Sequence, residues 1–138
     1  MTLRIGSKLD CRILLAEDGF DNQQLIAHVL RKEGAEVSVA DNGQVAVDLA
    51  LAAEQADSAF DIILMDIQMP VMDGHEATRQ LRKNGYTNPI IALTANTTTG
   101  SRQKCLDAGC DDYMTKPFDL STFVTVAAKY LPLEALES

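Results

Sequence analysis

The 138-residue chain, 46% apolar and 23% charged, is long enough for one domain with a core of its own. Its formal charge of −8, with no basic stripe, argues against direct nucleic-acid binding. Cys11, Cys105 and Cys110, with no CxxC pair and no Cys/His cluster, argue against a disulfide framework and a structural zinc site.

Residues 1–10 carry no pattern and are expected to be a lead-in or linker; residues 11–131 are the expected folded unit and 132–138 a tail. Arg12-Ile13-Leu14-Leu15-Ala16 is a short apolar run cut off by Glu17-Asp18-Gly19, a first strand and its turn. Leu25, Ile26, Val29 and Leu30 recur at helical spacing over 22–32, and Gly34 supplies the stop. Residues 36–40 alternate as a second strand. Asp41-Asn42-Gly43 opens a second helix whose Val45, Val47, Leu49, Ala50 and Ala53 form a packing face.

The third strand is Ile62-Ile63-Leu64-Met65, too short for a buried helix and apolar on both faces. Asp66 stands where it leaves the core, and Pro70, Asp73 and Gly74 break the chain before a helix over 74–83. Pro89 to Thr94 is a fourth strand. The polar stretch 96–101 reads as a loop before a short fourth helix, 111–116 as a weaker fifth strand, and 120–131 as a last helix. Five strand–helix units in a row imply a parallel sheet with right-handed crossovers and helices on both faces, a three-layer αβα sandwich.

In such a sheet the carboxyl ends of the strands share one edge. That edge receives Glu17 and Asp18, Asp66, Thr94 and Lys116. Three carboxylates so close repel one another unless a cation lies among them, and oxygen ligands without His or Cys suit Mg²⁺. Lys116 adds a point charge and Thr94 a hydroxyl donor. Metal, lysine and hydroxyl together are what phosphoryl transfer needs, and an ionised Asp66 can attack phosphorus without a base.

Glu17-Asp18, Asp66-Ile67-Gln68-Met69-Pro70 with Asp73-Gly74, Leu93-Thr94-Ala95 and Lys116-Pro117-Phe118 closely resemble the response-regulator receiver domain of two-component signalling. The wording from Gln68 to Gly74 is similar to receivers attached to hybrid sensor histidine kinases. The resemblance implies the flavodoxin-like strand order 2-1-3-4-5, which leaves Asp41-Asn42 outermost and away from the site. It implies that Asp66 is phosphorylated by a phosphohistidine on a histidine kinase or histidine phosphotransfer protein. Asp18, Asp66 and the Gln68 carbonyl would hold Mg²⁺, with Glu17 acting through water. Lys116 and Thr94 would bind the phosphoryl group, Tyr113 would be the switch aromatic, and the bond before Pro117 would be cis. Gln68 and Asn96 match positions that tune phosphoryl lifetime. Gly19, where relatives often carry Asn, and Asp21, where many are apolar, depart from the pattern on the partner-facing first helix.

The expected role is a signalling phosphoacceptor, not an enzyme, that switches the face formed by helix four, strand five and helix five; that face could also pair two copies. Two alternatives fit the residues less well. A haloacid-dehalogenase-like phosphatase wants an Asp where Gln68 stands, and a degenerate receiver acting as a docking scaffold would lack a ligand, whereas none is missing. His28 and His75 read as surface or packing residues, Asp111-Asp112 as a solvated face, and Cys11 as a buried inert thiol. With no signal-like start, no apolar run of spanning length and no DNA-binding output segment, the sequence suggests a cytoplasmic domain without membrane contact, either stand-alone or part of a hybrid kinase.

Overall fold

Strands and helices alternate through the chain, and the strands pair in the order β2-β1-β3-β4-β5, all parallel, in the computed structural model. It describes residues 9–95 and 98–131. The expected tail at 132–138, most of the expected lead-in and Asn96 lie outside them. The elements are β1 (Arg12–Ala16), α1 (Phe20–Lys32), β2 (Glu36–Ala40), α2 (Gly43–Gln55) and β3 (Ile62–Asp66). They continue with α3 (Gly74–Lys83), β4 (Ile90–Thr94), α4 (Thr99–Ala108), β5 (Asp112–Thr115) and α5 (Leu120–Ala127).

Alternate residues of the central strands feed two separate cores, as a strand period of two requires. Ile13, Leu15, Ile62, Leu64, Ile91 and Leu93 pack with α1 and α5 through Ile26, Leu30, Phe123 and Val126. Leu14, Ile63, Met65, Ile90 and Ala92 pack on the other face with α2, α3 and α4 through Val47, Ala50, Ala77, Leu81 and Cys105. The layers are therefore two helices, the sheet, and three helices. Leu9 belongs to the first core, and its N–H donates to the Glu33 carbonyl at 2.8 Å. Burial pushes the Cys11 and Cys110 thiols up to about 12, so both are protonated packing groups.

Some boundaries differ from the sequence reading. α1 begins at Phe20, two residues early, because its N-cap is Gly19, an extended residue without a capping side chain. α5 stops at Ala127, and tight bonds from Lys129 N–H to Val126 O and from Tyr130 N–H to Ala127 O close its end. Leu25 turns outward and is 61% exposed. Asp111 and Asp112 are not merely solvated. Asp111 Oδ2 accepts from Arg82 Nη2 at 2.7 Å and from Ile90 N–H at 2.9 Å, and Asp112 Oδ2 accepts from the Tyr130 hydroxyl at 3.0 Å.

Arg82 closes the end of the sheet opposite the acidic edge. Its guanidinium also donates to the carbonyls of Gly109 at 3.0 Å and of Tyr86 and Asn88 at 2.8 Å each. One planar fork thus joins α3, the α4 terminus and the start of β4. Arg82→Ala should cost about 2–4 kcal/mol in urea unfolding, because three carbonyls and a carboxylate lose their donor together. Arg82→Lys should recover little, since an ammonium cannot serve that spread of acceptors.

Candidate functional site

Parallel register sets the site. Ala16 lies beside Met65, Asp66 beside Leu93, and Thr94 beside Thr115, so these strands end at one level. Glu17 follows β1 directly and donates its N–H to the Ala40 carbonyl at 2.9 Å. Lys116 lies one residue beyond β5, its N–H donating to the Thr94 carbonyl at 2.8 Å. The Lys116–Pro117 peptide bond is cis.

At the centre, Asp66 is 1% exposed, yet the groups against its carboxylate are polar. Oδ2 accepts from Lys116 Nζ at 2.9 Å and Oδ1 from the Gln68 N–H at 3.2 Å. Glu17 is equally buried. Its Oε2 accepts from the Gly19 N–H at 2.8 Å, while Oε1 has no hydrogen bond and lies 3.7 Å from Lys116 Nζ. Asp18 is exposed, and one carboxylate oxygen from each of Glu17, Asp18 and Asp66 falls within 4.8 Å of the others.

The charges respond to this crowding. Burial pushes the Glu17 carboxyl above its usual range, and the Asp66 charge adds to the rise against the Gly19 N–H. Burial alone would depress the Lys116 ammonium, but its hydrogen bond to Asp66 and the charges of Asp66, Glu17 and Asp18 outweigh that and raise it. Three carboxylates face one ammonium, and a buried acceptor, Glu17 Oε1, is left over. An all-oxygen donor set with surplus negative charge fits a hard divalent cation.

The loop after β3 holds Asp66 and Gln68 by close backbone contacts. The Gly74 N–H donates to Ile67 O at 2.9 Å, and the Gly43 N–H, at the start of α2, donates to Met72 O at 3.0 Å. A Cβ on Gly74 would come within 2.4 Å of Asp66 O, and one on Gly43 within 2.2 Å of Met72 O. Between them Val71 sits at φ 69°, a left-handed value rare for a β-branched residue, where Met72 N–H donates back to Pro70 O at 2.7 Å. The sequence marks Gly74 as a break and as part of the receiver-like motif, and Gly43 as part of a helix start, but neither signal shows these close backbone approaches. Both glycines act through absent atoms.

Thr94 is 6% exposed at the end of β4. Tyr113 lies in β5 beside Ala92, half-buried, with the Arg102 guanidinium 5.3 Å from its ring centre. A cleft of about 320 Å³ on the α4 side is lined by Gln68, Thr94, His75 and Lys104 among others. Burial lowers the His75 pKa, and its Nε2 lies 3.7 Å from Cys105 Sγ, a packing arrangement. On the other side a cleft of about 330 Å³ runs from Glu17 and Lys116 past Asn22, Leu25 and Phe118. Phe20, 69% exposed, and Leu25 stand on α1 and present apolar surface.

Known proteins resemble the whole of this unit. The family described as the response regulator receiver domain matches residues 13–128. The "Hybrid signal transduction histidine kinase M" of Dictyostelium discoideum is 43% identical over 85% of this chain, which spans 5% of that protein. The receiver domain of sensor histidine kinase PA1611 from Pseudomonas aeruginosa, solved with a magnesium ion coordinated in its active site cleft, is 41% identical. It superposes with a TM-score of 0.77 over 87% of this chain and 96% of that one. A Saccharomyces cerevisiae structure pairs the histidine phosphotransfer protein Ypd1 with the receiver of Ssk1. The match is 31% identical, with a TM-score of 0.79 over 94% of each chain. The chain belongs to the response regulator receiver domain family.

Proposed function

We propose that the unit spanning about 11–131 is a phosphoacceptor switch in a two-component phosphorelay, with Asp66 as the acceptor. One observation carries the reading: Lys116 Nζ lies 2.9 Å from Asp66 Oδ2 within a three-carboxylate cluster in which the buried Glu17 Oε1 makes no hydrogen bond. An Asp66 carboxylate oxygen attacks the phosphorus of a partner's phosphohistidine. The new O–P bond forms as the P–N bond breaks, and the imidazole leaves with the electron pair and takes up a proton. Lys116 shifts its ammonium from Asp66 to the phosphoryl oxygens, and Thr94 donates its hydroxyl to them. Asp18, Asp66 and the Gln68 carbonyl would hold Mg²⁺, with Glu17 acting through water. When bound there, Mg²⁺ supplies neutralisation of the phosphoryl charge.

The donor is a histidine phosphotransfer protein or a histidine kinase, docking on exposed Phe20 and Leu25 of α1 and the cleft beside them. The Ypd1 complex of the yeast relative supports that kind of partner. Output passes through Thr94 and Tyr113 to the face of α4, β5 and α5, where a second copy of the chain could also pair. Self-phosphorylation and self-dephosphorylation are the only chemistry assigned to the domain, and its setting is the cytoplasm. Among the described residues no helix is long and apolar enough to cross a membrane. Gln68, where a haloacid-dehalogenase-like phosphatase needs an acid, leaves that alternative without its proton donor.

Incubation with acetyl phosphate and Mg²⁺ should add one phosphoryl group to the intact mass of the wild type and none to Asp66→Asn. Multiple turnover of unrelated phosphomonoesters without a retained label would instead favour the phosphatase, and an unchanged wild-type mass the scaffold.

A further inference from the structure

We propose that Gln23 is a positioning residue for the acidic pair, its side-chain amide holding the peptide that joins Glu17 to Asp18. The inference rests on the cation-site reading above. Gln23 lies in the first turn of α1 and donates from Nε2 to the Glu17 carbonyl at 2.6 Å. Its own N–H donates to Gly19 O at 2.9 Å, so the residue grips the turn on both sides of Asp18.

The peptide group is planar, and the Glu17 carbonyl turns together with the Asp18 nitrogen. Glu17 N–H is already tied to Ala40 O in β2 at 2.9 Å, and Glu17 Oε2 to the Gly19 N–H at 2.8 Å. The bond from Gln23 fixes the remaining free plane, the one from which the Asp18 backbone departs. Asp18 is exposed, and the backbone sets the point from which its carboxylate reaches the cluster. Glu17 Oε1, buried without a hydrogen bond, depends on the same frame to face the cluster. A glutamine is neutral. It shapes the cluster without altering its charge, as outer partners of metal ligands do.

Two variants separate positioning from charge and from packing. Gln23→Met keeps the length and apolar stem but has no donor. Gln23→Glu keeps the shape, replaces the donor by an acceptor and brings a further negative charge toward the site. Calorimetric titration with MgCl₂ should show affinity weakened roughly ten-fold in Gln23→Met. Gln23→Glu should also bind more weakly than the wild type, against its added attraction for the cation, with circular dichroism confirming that both variants are folded. In the metal-free wild type, the Gln23 side-chain amide protons should resonate away from the position of free glutamine amides. Wild-type affinity in Gln23→Met, tighter binding in Gln23→Glu, or free-amide resonances for Gln23 would each overturn the inference alone. A wild type that takes up no Mg²⁺ would overturn the cation site and this inference with it.

Discussion

Lys116→Ala should slow phosphoryl acceptance from acetyl phosphate by about 100-fold or more, the loss typical of removing one preorganised donor to a charge-building transition state. Lys116 Nζ is the one cation that the described residues bring against the Asp66 carboxylate, at 2.9 Å, and it lies 3.7 Å from Glu17 Oε1. In the reaction it neutralises charge on the transferred group. In the resting protein it offsets two buried carboxylates. The same variant should therefore also lose stability in the absence of metal, by about 3 kcal/mol, because an unpaired buried charge costs more than its pair contributed. Time-resolved intact mass measures the first effect and urea unfolding the second. A variant as fast as the wild type would remove Lys116 from the mechanism.

Gly74→Ala should be among the most damaging single-methyl changes in the chain. The added carbon would lie 2.4 Å from Asp66 O and 2.8 Å from Ile67 Cα, both backbone atoms at the end of the central strand. Neither can swing aside as a side-chain tip could. Relief requires opening the turn that Gly74 N–H closes on Ile67 O and that Asp73 caps through the Glu76 N–H at 2.9 Å. The expected cost is about 3 kcal/mol, in the range of severe overpacking, with phosphoryl acceptance reduced alongside because Asp66 is carried on the displaced backbone. Gly100→Ala is the matched control. Its added carbon meets no heavy atom within 4 Å, and it stands in the first turn of α4, where alanine should cost nothing. Equal melting temperatures for the two variants would contradict the close approach.

Strands were the most legible feature because a parallel strand between two helix layers must be apolar on both faces. Ile62 to Met65 and Ile90 to Leu93 read as such at once, and they are buried throughout. Their carboxyl ends indicate where polar and charged residues gather, and this groups Glu17, Asp66, Thr94 and Lys116 from the sequence alone. Helix starts were harder. Gly19 caps α1 without a side-chain signal, and Leu25 satisfies helical spacing while facing solvent. Contacts made by backbone atoms stayed hidden. Nothing in the letters around Gly43 announces that its N–H meets Met72 O, nor around Gln23 that it reaches the Glu17 carbonyl. Arg82 carries no signal in the sequence beyond its place near the end of α3, and its four acceptors lie on two separate loops, 86–88 and 109–111, that the fold brings together.

The most direct test of the central claim is to find which residue carries the phosphoryl group. Protein incubated with acetyl phosphate and Mg²⁺ is treated with borohydride, which reduces an acyl phosphate to an alcohol, and its peptides are sequenced by mass. The reduced residue should be at position 66, in the peptide containing Met65 and Ile67, and should be absent when Mg²⁺ is withheld. Reduction at Asp18 or Glu17, or phosphate retained on His28 or His75, would contradict Asp66 as the acceptor.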